Sequence, residues 1–202
     1  IAGCHNFYKM NDINLKKVIS KINNTFQETD RSCYSVGFSQ IYLLASNIGC
    51  KSISIIDIDW RILWAHYQVI ESLYYKKYVD FGLLHINWSA DFSGEVKEHE
   101  PKISINTFCY AIDKPYCIES FEKFPTLGIK LLELQLGHLH EIKMNRHKNH
   151  NLVFIYLSNA LDPEYTTQKD FEELLSNLKF EMNYIQEVII IYHGGGNDQF
   201  AM

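Results

Sequence analysis

Ser32-Cys33-Tyr34-Ser35-Val36-Gly37-Phe38-Ser39, then Gly49-Cys50-Lys51, then Ile55-Ile56-Asp57-Ile58-Asp59 are the stretches that decide the fold. Ser32 to Val36 reads as a short strand that runs into a turn of small residues. A helix follows over Gln40 to Asn47, and Gly49 closes it. Lys51 to Ile58 carries Ile53, Ile55, Ile56 and Ile58, a nearly continuous β-branched run that suits a parallel strand covered on both faces. This strand ends in acid. In such an arrangement a ligand sits outside the carboxyl ends of the strands. Small residues in the first turn let it approach the backbone, the next helix presents free N–H groups, and the acid accepts hydrogen bonds from ribose hydroxyls. Asp57 follows Gly37 at the ~20-residue spacing of that fingerprint.

Working outward, Asn11 to Phe26 has apolar residues at helical spacing on one face, with Asp12 as the expected N-cap. A long helix is predicted from Trp60 to Lys77, with Ile62, Leu63, His66, Val69, Ile70 and Leu73 along one side, and a strand over Phe81 to Trp88. Ser89 to Pro125 holds Pro101, Pro115 and Pro125 and reads as the least regular part, although Lys102 to Ile112 alternates like a strand. Thr126 to Lys143 returns to helical spacing through Leu127, Leu131, Leu134 and Leu139. Leu152 to Leu157 reads as a strand, Tyr165 to Phe180 as an acidic amphipathic helix, and Glu187 to Tyr192 as a last Ile-rich strand. Alternating strands and helices imply an α/β fold, a three-layer Rossmann-like domain with a mostly parallel sheet. A single domain over 1–202 is expected, with an N-terminal helical segment at 1–31 and an insertion or irregular segment at 89–151.

Cys33 through Leu63 resembles the opening half of class I S-adenosylmethionine-dependent methyltransferases. Gly49-Cys50-Lys51 and Ile56-Asp57-Ile58-Asp59 match the second half of their pattern, Gly-Ala-Lys before a strand ending in Asp-Ile-Asp. The first half departs from it. Gly37 stands at the middle glycine, Ser35 and Ser39 stand at the outer ones, and Cys33 replaces the usual acid. The Ser-x-Gly loop also resembles betaine-lipid synthase-type aminocarboxypropyl transferases. The resemblance implies S-adenosylmethionine as cofactor, held by Ser35, Gly37, Ser39, Asp57 and Asp59, with Asp57 on the ribose. Leu152 to Asp162 looks like the fourth strand of these enzymes, which places Ser158, Asn159 and Asp162 at the acceptor. Asp59 is expected to cap the Trp60 helix, leaving Asp57 for the ribose.

Other features exclude more than they assign. A net charge of −5 without a run of Lys or Arg gives no footprint for nucleic acid, and a small-molecule substrate is expected instead. No apolar run approaches the ~20 residues that span a bilayer. The five cysteines form neither CxxC nor zinc spacing. Cys33 and Cys50, in apolar strands, are expected to be reduced, and the location to be cytoplasmic. Ile1-Ala2-Gly3-Cys4 matches a four-residue lipobox, so a membrane-anchored lipoprotein through Cys4 is the alternative.

Gly37-Phe38-Ser39 begins like a nucleophile elbow. The His193-Gly194-Gly195-Gly196 turn follows it in the wrong chain order for an α/β-hydrolase. His138, His140, Glu141, His147 and His150 are read as a solvated helix end rather than a metal site. Trp60 and Trp64 are read as core. The rivals to a methyl-transferring enzyme are a non-catalytic Rossmann-like binding module and, with a sparser glycine fingerprint than it needs, a nicotinamide oxidoreductase.

Overall fold

In the structure, a computed structural model, residues 14–26, 31–38, 40–75, 109, 113–141, 152–158, 160, 166–181 and 187–192 are described. In chain order the elements are α1 (Leu15–Thr25), β1 (Arg31–Val36), α2 (Gln40–Ile48), β2 (Cys50–Asp57), α3 (Trp60–Tyr75), α4 (Lys114–Lys123), β3 (Leu131–Leu136), β4 (Leu152–Ser158), α5 (Gln168–Glu181) and β5 (Glu187–Tyr192). Short 3-10 turns occupy Phe124–Thr126 and Leu139–Glu141.

The five strands form one sheet in the order β3-β2-β1-β4-β5, with every pairing parallel. The chain winds outward from β1 through β2 to β3, then crosses back to β4 and β5. That reversal puts a topological switch point between β1 and β4, the place where open α/β sheets bind ligands at the carboxyl ends of their strands. The fold is thus α/β and Rossmann-like.

Period-two alternation sorts side chains between two helix layers. Cys33, Ile53, Ile55, Phe154 and Tyr156 face one core, completed by Leu15, Ile19 and Ile22 of α1, most of α2, Val69 of α3 and Phe121 of α4. Tyr34, Ile56, Val153, Ile155 and Leu157 face the other, against Leu174 of α5. α2 is sequestered almost all round, from Gln40 to Ser46, and its polar groups bond across the layer. Ser46 donates to the Ser120 carbonyl at 2.6 Å, and Asn47 Nδ2 donates to Ser120 Oγ at 2.8 Å.

Several expectations are corrected. Thr126 to Lys143 is not a helix. Its centre is β3, in which Leu132 and Leu134 pack on the first core while Glu133 and Gln135 alternate to the opposite face. Gly128, at φ +62°, precedes it. Residues 114–136, within the stretch expected to be irregular, supply a core helix and a sheet strand. α4 starts at a conventional cap, with Asp113 Oδ1 accepting from the Tyr116 N–H at 3.4 Å. α1 begins directly after Asn14, which makes no side-chain cap bond; Asp12 lies outside the described residues, as do the expected strand at 81–88 and, apart from Cys109, the one at 102–112.

Cys33 and Cys50 are not reduced. They form a disulfide between β1 and β2, and a second joins Cys109 to Cys117. Trp60 and Trp64 are about half exposed rather than core, and Trp64 stacks on Tyr67 with ring centroids 5.3 Å apart. The buried stripe of α3 is Ile62, Ala65, His66, Val69 and Leu73, which turns the aromatic row outward. No helix among the described residues is long and apolar enough to cross a membrane.

Candidate functional site

β1 and β2 end side by side, with Val36 opposite Ile56, so Gly37 and Asp57 leave the sheet at the same edge. Gly37 adopts φ +80°, a left-handed conformation that only glycine enters without strain, and a Cβ placed there would meet nothing within 4 Å. The turn is therefore open on its glycine side. Gly37→Ala is expected to lower stability by about 1 kcal/mol through backbone strain alone, read as a Tm lower by a few degrees. An unchanged Tm would mean that the turn is not held at positive φ.

Asp57 is buried, and three backbone amides converge on its carboxylate. Oδ1 accepts from the Asp59 N–H at 2.8 Å, and the Gly37 and Ile58 N–H groups also donate to the carboxylate. Burial nevertheless dominates and, with the charge of Asp59 adding to it, pushes the Asp57 pKa up to about 6 against the amides that lower it. The expectation that Asp57 is left free is thus revised, while Asp59 stands at the N-terminal boundary of α3 as expected. The Asp57 side chain itself ties down the start of the turn, and the Asp59 carbonyl accepts the first α3 amides, from Ile62 and Leu63.

Two apolar side chains flank this acid in the open. Ile58 is 52% exposed, and Leu136, the β3 register partner of Asp57, is 66% exposed. The Gly137 N–H continues the ladder to the Asp57 carbonyl at 3.1 Å. Beyond Leu136 a cleft of about 630 Å³ is lined by Ile56, Glu133, Gln135, Leu136, His138 and Glu141 among others. Gly37 and Asp57 border the same edge but do not line that cleft.

Of the other expected cofactor residues, Ser35 lies within β1, fully buried, and its hydroxyl turns back toward the Val36 carbonyl at 3.4 Å. Asp59 is buried beside Asp57. Ser158 ends β4, across the switch point from β1. Ser39, Asn159 and Asp162 lie outside the described residues, as do Cys4, His147, His150 and the 193–196 turn. Among the described residues no three His, Cys, Asp or Glu side chains converge as a metal site would require. His138 and His140, read as part of a helix end, stand instead at a 3-10 turn with their rings stacked, centroids 5.5 Å apart.

Sequence reasoning missed the group behind the loop. His66 is fully buried on α3. One ring nitrogen, Nε2, lies 2.9 Å from the Gly37 carbonyl oxygen, and the other, Nδ1, lies 2.8 Å from the Tyr42 hydroxyl. Burial lowers its pKa to about 4, so the ring is neutral near pH 7. The available signal was a histidine inside an apolar helical stripe, which demands buried hydrogen-bond partners.

Fold and edge together define a Rossmann-like α/β protein whose second strand presents a buried carboxylate at the carboxyl end of the sheet. No family model matches this sequence, and no curated protein matches it either.

Proposed function

We propose that the protein is an S-adenosylmethionine-dependent transferase that moves a methyl group to a small-molecule acceptor. The observation that carries this reading is the Asp57 carboxylate, bonded to the Gly37 amide and flanked by exposed Ile58 and Leu136. A carboxylate offers about four acceptor positions. Three backbone amides leave room for a ribose hydroxyl. Ile58 and Leu136 supply the apolar surface that a purine ring requires, and the open side of Gly37 admits the remainder of the nucleoside. Ser158, Asn159 and Asp162, at and beyond the end of β4, would meet the acceptor. The cofactor, when bound, supplies the electrophilic methyl group. The chain's contribution is to hold donor and acceptor in line, which can account for most of the acceleration without a dedicated base.

Titration calorimetry with S-adenosylmethionine and its demethylated product tests this. Saturable heat is expected at pH 7.5, weakening below pH 6 as Asp57 takes up its proton. Loss of binding is expected in Asp57→Asn. No heat with either ligand at millimolar concentration would sink the reading. Binding without turnover on any acceptor would instead favour the non-catalytic module, a rival that the buried, inward-turned Ser35 already supports.

The two disulfides favour an oxidising compartment.

A further inference from the structure

Gly37 is gripped from two sides. Its N–H donates to Asp57 at the end of β2, and its carbonyl meets His66 on α3. A carbonyl can only accept, so His66 Nε2 must carry the proton. Nδ1 then has none, and the Tyr42 hydroxyl must donate to it. Tyr42, on α2, is itself fully buried and fixed between Phe121, stacked at 4.8 Å, and Phe124, edge-on at 5.0 Å. Phe38 closes the group, with its ring 4.7 Å from that of His66.

We propose that His66 is a positioning residue, held by Tyr42 in its Nε2–H tautomer, that fixes the Gly37–Phe38 peptide plane and so sets the shape of the β1–α2 loop for its ligand. The ligand clause rests on the transferase reading above; the tautomer and the loop do not. In a trans peptide the carbonyl and the following N–H point in opposite directions. Aiming the Gly37 oxygen into the helix layer therefore fixes which way the Phe38 amide points. Glycine at this position lets the plane turn over easily. A buried donor behind the carbonyl removes that freedom, because a flipped oxygen would leave His66 Nε2–H unsatisfied in the core. The ring serves as a donor of fixed direction only while it is neutral, and its burial keeps it so.

Long-range proton–nitrogen NMR on the full chain without ligand is the first test. His66 should show a protonated Nε2 and a bare Nδ1, unchanged from pH 8 to pH 5.5. A protonated Nδ1, or a ring that titrates like an exposed histidine, overturns the proposal. The second test uses substitutions. Tyr42→Phe keeps the ring packing but removes the donor to Nδ1. It should produce a mixture of tautomers and shift the Gly37 and Phe38 amide resonances.

His66→Gln places an amide donor near the Nε2 position and should keep those resonances. His66→Leu should move them and speed their hydrogen exchange. Equal Gly37 and Phe38 resonances in all three variants would overturn the proposal even if the tautomer is right. If His66→Leu does not fold, Tyr42→Phe alone still decides it. Affinity for S-adenosylmethionine should fall about tenfold in Tyr42→Phe and stay near that of the parent in His66→Gln, as the loss and the retention of one hydrogen bond would do. If no variant and no parent binds the nucleoside while the NMR results hold, the transferase reading fails and the loop clamp stands.

Discussion

Asp57→Asn is expected to raise stability at pH 7.5 by about 3 kcal/mol while removing nucleoside binding. The size follows from the upward displacement of the Asp57 pKa, from an ordinary 3.8 to about 6, at about 1.4 kcal/mol for each pKa unit. Below pH 3.8 the carboxyl is neutral in both folded and unfolded chains, and its contribution to stability is fully present. As pH rises through 6 the folded chain must ionise a buried group that the unfolded chain ionises freely, and that contribution is lost. Asparagine mimics the neutral acid. The gain should therefore be largest at neutral pH and vanish near pH 3.5. Urea unfolding of parent and variant at several pH values measures it. Equal gains at both extremes would mean that burial of charge at Asp57 is not the cause.

His66 acts in the opposite direction over nearly the same window. Its pKa is lowered from 6.5 to about 4, so its contribution is present above pH 6.5 and lost as pH falls through 4, again about 3 kcal/mol. In the parent the two displacements offset each other, and stability between pH 4 and 6.5 should be nearly flat. Asp57→Asn removes one side of that balance. The variant should lose about 3 kcal/mol on acidification from pH 6.5 to pH 4. Both groups contact one glycine, so a flat parent profile that becomes sloped in the variant is also a check on the site as a unit. A carboxylate that lowers stability at the ligand end of a sheet is what a binding role would retain.

The part of the fold that was legible is the part whose instructions are local. β1, α2 and β2 follow from an apolar strand, a helix closed by Gly49 at φ +78° and an isoleucine run. Asp57 could be placed beside Gly37 because parallel strands joined by a helix end at the same edge. β3 was misread because Leu127, Leu131, Leu134 and Leu139 satisfy a helical period, while the alternation of Leu132, Leu134 and Leu136 with Glu133 and Gln135 spans only one short edge strand. α4 lay hidden among prolines, although Asp113 and Pro115 form an ordinary helix start. The outward face of α3 was misjudged because Trp60 and Trp64 are large and apolar. Burial there goes instead to smaller residues and to His66, which the loop requires. The contacts from Tyr42 through His66 to Gly37 join three elements, and no spacing along the chain announces such a group.

The cysteine pairing was hidden for the same reason, and it carries the second large effect. Cys33 lies inside β1 and Cys50 opens β2, so they become neighbours only once the two strands pair. The bond closes a segment with a sequence separation of 17, and Cys109–Cys117 closes one of 8. Restricting the unfolded chain in this way is worth about 3 kcal/mol for the longer loop and about 2.5 kcal/mol for the shorter. Thiol titration of the chain without a lipid on Cys4, unfolded without reductant, should find Cys4 alone, and titration after reduction should find all five cysteines. Dithiothreitol should move the urea midpoint sharply downward, and Cys33→Ala with Cys50→Ala should reproduce the larger share. Five thiols before reduction would remove both the stabilisation and the argument for an oxidising compartment. Affinity should respond differently from stability. Cys33 is four residues before Gly37, about 13 Å along an extended strand, and His66 and Asp57 hold the loop independently of the crosslink. Folded, reduced protein should therefore bind the nucleoside nearly as the oxidised form does. A parallel collapse of affinity would show that the disulfide, rather than the two side-chain clamps, sets the edge.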